Sequence, residues 1–194
     1  MRTLTKRRVI ALSLTVLMIF VTAPASAARC KYNVDTVNHR TGEKVRWTKW
    51  NTFRLRQDPV MHVAISEGDR KYLGLRLMLN RGSRTKRPSI KELDNELVIA
   101  EDAKLLLLMA DESILELHAA QGMFADSDVS ASGANNYAIY SEIIVKYELD
   151  AETMAALSSQ RLKVLRITAD DAEYTYEFGK KGSDRIQKNL ACIQ

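Results

Sequence analysis

The chain has 194 residues, with 29 Lys and Arg against 24 Asp and Glu, for a formal charge of +5. Arg2, Lys6, Arg7 and Arg8 supply four of those cations, so beyond residue 27 the balance falls to 25 against 24. A nearly neutral body of this length suits one domain with a real core and excludes the electrostatic footprint of a nucleic-acid binder.

Residues 1–27 read as a secretory leader: a positive start, then the apolar run VIALSLTVLMIFV over 9–21, then Ala25 and Ala27 in the small positions before a cut. A bilayer span needs about 20 apolar residues, so this run is too short for a retained anchor. Cleavage after Ala27 leaves a single exported domain over 28–194, periplasmic or secreted, with no transmembrane segment. Arg29 stands where a lipoprotein signal carries a small residue, so Cys30 is read as unlipidated.

The two cysteines, Cys30 and Cys192, lie at opposite ends of that domain. An exported chain meets an oxidising compartment, and chain ends often lie close together, so a Cys30–Cys192 disulfide is expected. Closing so long a loop is worth about 4–5 kcal/mol in the chain-entropy account. There is no C-x-x-C to favour a redox enzyme.

Alternation dominates the rest. Residues 43–55, EKVRWTKWNTFRL, read as one strand with Val45, Trp47, Phe53 and Leu55 on its inner face. VMHVAIS and RKYLGLRLML flank Glu67-Gly68-Asp69 and predict a hairpin in which Leu73, Leu75, Leu77 and Leu79 share a face. KLLLLM and SILELHA predict a second hairpin, and RLKVLRIT and EYTYEF a third. Between them YAIYSEIIVKYEL predicts a long strand with Tyr137, Ile139, Ile143, Val145, Tyr147 and Leu149 inward. Asp150 is expected to cap a helix over 151–159, and Ser183 a final helix carrying Ile186, Leu190 and Ile193. Ser89 and Glu92 form a capping box for a single turn. Residues 80–89 and 125–136 read as loops. The fold class that follows is α+β and β-rich: an antiparallel sheet, sandwich or partly open barrel with a C-terminal helix.

Catalytic signatures are missing. His39, His62 and His118 form no local ligand motif, and His62 and His118 fall on the polar parity of their strands, which places them in water. Asp126, Asp128 and Ser130 match the start of a calcium loop, but Ala131 and Tyr137 replace its Gly and Glu. FGKKGS over 178–183 has the wrong order for a P-loop, and neither G-x-S-x-G nor H-E-x-x-H occurs. No catalytic residue, metal ligand or cofactor is assigned, and the reading leans away from an enzyme.

Two surface features remain as candidate binding residues. On a continuous strand Trp50 falls with Arg46, Thr48, Arg54 and Arg56, on the face opposite Trp47. An aromatic among arginines suits an envelope protein, a glycan or an anionic ligand. The competing reading is that a helix or hairpin covers Trp50, or that a bulge turns it inward. The second feature is the run Arg81, Arg84, Lys86 and Arg87, suited to an anionic envelope surface or simply a solvated loop.

The stretch CKYNVDTVNHRTGEKVRWTKW resembles the opening of a family of small exported bacterial proteins, with Cys-x-Tyr, then an Asp, then a Thr-Gly-Glu turn and a strand. The matching residues are Cys30, Tyr32, Asp35, Thr41, Gly42 and Glu43. LKVLRIT is similar to the family's penultimate strand, and Cys192 to its terminal cysteine. The resemblance implies an exported, largely β domain and supplies no activity. Some relatives carry a lipid anchor, from which Arg29 departs. The function expected is a non-catalytic envelope binding or interaction module. The alternatives are a small-molecule or lipid carrier with leucine-lined walls, and a hydrolase with a non-local site.

Overall fold

Two-residue periodicity sets most of this chain into strands, and the computed structural model describes residues 30–54, 59–89, 98–131, 136–169 and 172–194. The leader, Arg29, Leu55, Arg56 and residues 90–93 of the expected turn, Glu92 among them, lie outside them. The strands are β1 (Tyr32–Val37), β2 (Lys44–Thr48), β3 (Asn51–Arg54), β4 (Val60–Glu67), β5 (Arg70–Arg84), β6 (Val98–Ile99) and β7 (Lys104–Met109). There follow β8 (Ile114–His118), β9 (Met123–Phe124), β10 (Asp126–Ala131), β11 (Tyr137–Glu148), helix α1 (Ala151–Ser159), β12 (Leu162–Ala169), β13 (Ala172–Glu177) and helix α2 (Lys180–Leu190).

A seven-stranded antiparallel sheet runs β1-β2-β4-β5-β11-β10, with β3 also pairing β4, and it curls into a half-barrel. A second sheet runs β13-β12-β7-β8, and β6 pairs β9. The fold class is therefore β-rich α+β with a C-terminal helix. The three expected hairpins form. The first closes at Glu67↔Arg70 around Gly68, whose φ of 58° favours glycine.

The leucines of β5 organise the core. Leu73 pairs Ala64 and Tyr147, Leu75 pairs His62 and Val145, and Leu77 pairs Val60 and Ile143. Leu105, Leu107 and Met109 of β7, Leu165 and Ile167 of β12, Leu157 of α1, and Ile186 and Leu190 of α2 complete the same buried cluster. The second sheet and both helices thus cover one face of the large sheet, its concave face.

Five expectations are corrected. Residues 43–55 are not one strand: the chain breaks at Lys49 and Trp50 between β2 and β3. The break resets the side-chain parity, so Trp47 and Trp50 join one cluster with Val63, Ile65 and Tyr72 on the convex face. Thr48, expected on the polar face with Trp50, is buried, and its Oγ1 accepts a hydrogen bond from the Ala64 N–H at 3.0 Å.

The orientation of β4 is also the reverse of the expected one. Val60, His62 and Ala64 face inward and Val63 and Ile65 outward, because both faces of this strand are covered and both parities are apolar. His62, expected in water, is fully buried. Gly74 makes room for the outward set, since a Cβ there would lie 2.6 Å from Val63 Cγ1.

The stretch 80–89 is half strand: β5 continues to Arg84, which pairs Tyr137. Within 125–136, residues 126–131 form edge strand β10 against β11. Both stretches are too polar to announce a strand, and their pairing comes from the length of β11. Lastly, Gly179 rather than Ser183 caps α2. Ser183 lies inside the helix and is buried, with its Oγ accepting from the Leu162 N–H at 3.0 Å. Asp150 caps α1 as expected, accepting from the Thr153 N–H at 2.7 Å.

Candidate functional site

The convex face of the large sheet carries the most distinctive surface chemistry. Outward-facing residues come into line across strands through the register Met61↔Arg76↔Ile144 and through Met78↔Glu142↔Asp126. Tyr140, 39% exposed, follows on β11, and Phe124, 75% exposed, stands two residues ahead of Asp126. Toward the other edge lies the Trp47–Trp50–Tyr72 cluster. The Lys146 ammonium sits 5.2 Å from the Trp47 ring centre and 5.7 Å from that of Tyr72, in cation–π geometry.

Two cations of this face are closed in ion pairs. Lys146 bonds Glu67 at 2.5 Å, and Arg76 bonds Glu142 at 2.5 Å. What remains is a band of methionine, isoleucine and aromatic surface broken by closed ion pairs. Charged residues paired off and aromatics with methionine left open is the composition of a protein-binding core rather than of an anion site.

The binding residues expected from sequence are scattered. Trp50 is half-buried on the convex cluster. Arg46 alternates with Trp47 along β2 and so turns to the other side, where its Nε lies 3.5 Å from Asp35 and its guanidinium 5.6 Å from the Tyr32 ring centre. Arg54 ends β3 and Arg81 lies within β5. Arg84 closes β5, and Lys86 and Arg87 are exposed just past it, so this set belongs to a strand end remote from Trp50. Met61, Met78, Phe124, Tyr140 and Ile144 were missed. For Tyr140 and Ile144 the signal was available in YAIYSEIIVKYEL, where both are apolar on the outward parity.

His62 is the most perturbed titratable group. Its ring stacks on Phe53, with centres 4.1 Å apart and planes at 8°, and Phe53 meets Phe178 edge-on at 4.4 Å. Neither ring nitrogen has a hydrogen-bond partner. Burial, reinforced by the Arg185 charge, lowers its pKa from 6.5 to about 3. A neutral imidazole sealed among phenyl rings reaches no substrate.

His118 is instead exposed, in an open cleft of about 490 Å³ with Asp102, Glu116, Glu148, Asp150 and Thr153. Its Nε2 lies 3.2 Å from Glu116 Oε1, and its Nδ1 lies 3.2 Å from the Asp102 carbonyl. Lys104 bonds Glu116 at 2.7 Å and holds that carboxyl below its usual range. The cleft gathers acids, an imidazole and the Thr153 hydroxyl, and no serine or cysteine stands in its lining among the described residues.

Cys30 and Cys192 are joined in a disulfide, which leaves no free thiol. Beside it the Tyr32 hydroxyl donates to the Cys192 carbonyl at 2.8 Å. The molecule is thus a disulfide-closed, curled antiparallel β domain with a filled core and an apolar, ion-paired convex face. Comparison with protein-family models, with curated proteins and with solved structures finds no match.

Proposed function

We propose that this chain is an exported envelope protein, periplasmic or secreted, that acts without catalysis as a module for binding another protein through its convex face. The leader pattern and the Cys30–Cys192 disulfide support export. The observation that carries the binding reading is the in-register band of Met61, Met78, Tyr140 and Ile144 with Phe124 at its margin. A broad, methionine- and aromatic-rich convex face fits a protein surface. Closed ion pairs at Lys146 and Arg76 count against a glycan or anionic ligand there. The carrier alternative is weakened by the packing of Leu73, Leu75, Leu77 and Leu79 into the core, where a carrier needs them as walls.

The test is a photo-cross-linking amino acid placed at Tyr140 in the envelope of the producing cell, with Glu173 on β13 as the control position. A discrete adduct from Tyr140, lost in Phe124→Asp at unchanged melting temperature, is the expected result. Equal adducts from both positions, or an adduct that Phe124→Asp leaves intact, would sink the reading.

A further inference from the structure

We propose that the outer face of α2, together with the adjoining β2–β3 turn, docks onto a bilayer surface rich in anionic phospholipid. Along α2, Ser183, Ile186, Asn189 and Leu190 face the core. Lys181, Arg185 and Lys188, spaced i, i+4 and i+7, therefore form one outward stripe, with Lys180 beside it. Hydrogen bonds carry the stripe onto the sheet. Asn189 Nδ2 donates to the Lys49 carbonyl at 3.3 Å, and the Lys49 N–H donates to the Lys31 carbonyl at 3.2 Å. Lys31, Lys49, Lys180, Lys181, Arg185 and Lys188 are all exposed.

These cations differ from seven others on the molecule that are paired with acids. Lys44, Arg46, Arg76, Lys104, Lys146, Lys163 and Arg166 each face a carboxylate. Among the described residues none of the six has an ion-pair partner, and Arg185 spends one bond on the Thr52 carbonyl at 3.3 Å. Asp184 is the one acid on the helix. Lys188 in the last turn suits the helix dipole, but the charge at the other end does not. Its first turn holds Lys180 and Lys181 and no acid, against the helix dipole, and Gly179 offers no side-chain cap.

Since the chain beyond residue 27 carries 25 cations and 24 acids, six cations gathered at one end leave an excess of acid elsewhere. The Asp102, Glu116, Glu148 and Asp150 cleft holds part of that excess. Such a charge asymmetry orients a molecule against a negative surface. The cations are spread along an exposed helix face and onto an exposed turn, which fits a plane of headgroups better than a single phosphate. No large apolar side chain projects from the stripe, so contact is electrostatic, reversible and salt-sensitive. The compartment in which this surface would be met rests on the export reading. The contact itself is independent of the convex face.

The experiment is co-sedimentation of the purified, disulfide-bonded protein with phosphatidylcholine vesicles, with and without phosphatidylglycerol. Binding is expected only with phosphatidylglycerol and should vanish in high salt. Lys181→Glu with Lys188→Glu should weaken it by at least about tenfold. Lys86→Glu with Arg87→Glu, at the far end of β5, should change it by no more than about twofold. Melting temperatures of both double variants check folding, and the salt series on the unaltered protein stands without them. Equal binding to pure phosphatidylcholine, indifference to the α2 substitutions, or loss through the β5-end substitutions would each overturn the proposal. Release by inorganic phosphate beyond that caused by chloride at equal ionic strength would also overturn it, pointing to a small-anion site. Failure of the convex-face cross-link would leave all these outcomes unaffected, so the two proposals fail separately.

Discussion

Acid should unfold this protein earlier than its carboxylates alone dictate, and His62 is the reason. Its imidazole is buried, stacked on Phe53 and close enough to the Arg185 charge to feel it. The folded pKa is about 3, against 6.5 for the free side chain. Above pH 6.5 the ring is neutral in both states and contributes no pH dependence. Below it the unfolded chain takes up a proton that the folded chain refuses, so stability falls as pH falls, until the folded ring also protonates near pH 3. Each pH unit is worth about 1.4 kcal/mol. From 6.5 to about 3 the span is about 3.5 units, so the full effect is at most about 5 kcal/mol. That is comparable to the whole stability of an ordinary domain.

Asp111, Glu116 and Asp150 also have lowered pKa values, through hydrogen bonds to Ser113, Lys104 and Thr153. Their stabilisation is lost only as pH falls through the carboxylate range, near 4 and below. The interval from about pH 6 to pH 4.5 therefore isolates His62. Urea unfolding followed by far-ultraviolet circular dichroism should give a slope approaching 1.4 kcal/mol per pH unit there. In His62→Gln the slope should largely disappear. His62→Leu at pH 7.5 should be as stable as the parent or more so, because two buried nitrogens without partners are removed. Equal slopes for parent and His62→Gln would refute the reasoning. So would a large loss in His62→Leu at pH 7.5, which would mean that the ring nitrogens make bonds stabilising the fold.

Two further outcomes follow from the packing. Cys192→Ser opens a link across 162 residues and should lower stability by about 4–5 kcal/mol, read as a shift in the urea midpoint; an unchanged midpoint would count against the loop-entropy account. Gly74→Ala drives a methyl to 2.6 Å from Val63 Cγ1 and 3.0 Å from Ile65 Cδ1, and should cost about 1–3 kcal/mol by thermal melting. Adding Val63→Ala should recover part of that loss, whereas strict additivity would place the strain elsewhere.

The hairpins were legible because apolar strand-like runs lie on both sides of a short polar turn, with clear alternation in Leu73, Leu75, Leu77 and Leu79 after Gly68. The long strand over Tyr137–Glu148 was legible for the same reason. What failed was any step that assumed one buried face per strand. In β4 the apolar residues occupy both parities, so periodicity alone could not tell whether Val63 or Ala64 points to the core. The choice falls to neighbours remote in sequence, Gly74 on one side and α2 on the other. Trp50 was misplaced because a two-residue interruption at Lys49 leaves no mark in composition yet reverses every later side chain. The polar stretches at Ser83 and Asp126 become strand because β11 is long enough to pair them. The basic face of α2 was visible only as charges in KKGSDRIQK, and its continuity with Lys49 and Lys31 depends on bonds across 140 residues.

The proposed membrane face and the proposed partner face belong to one rigid body, and the chain ends make it so. The disulfide fixes the end of α2 to the start of β1. The Tyr32 hydroxyl holds the Cys192 carbonyl, and Asn51, Asn189 and Lys49 link the helix to the β2–β3 turn by hydrogen bonds. Ile186 and Leu190 anchor the same helix in the core that lies behind the convex face. A helix tied at this many points cannot swing on a linker. Its orientation against a charged surface sets the orientation of the whole sheet. Because α2 packs on the concave side, contact through its lysines turns the band at Met61, Tyr140 and Ile144 away from the bilayer, where a soluble domain of a partner can reach it. The burial of His62 beneath the same helix is then the energetic liability of this arrangement. The site that secures α2 to the sheet is also the one that acid attacks first.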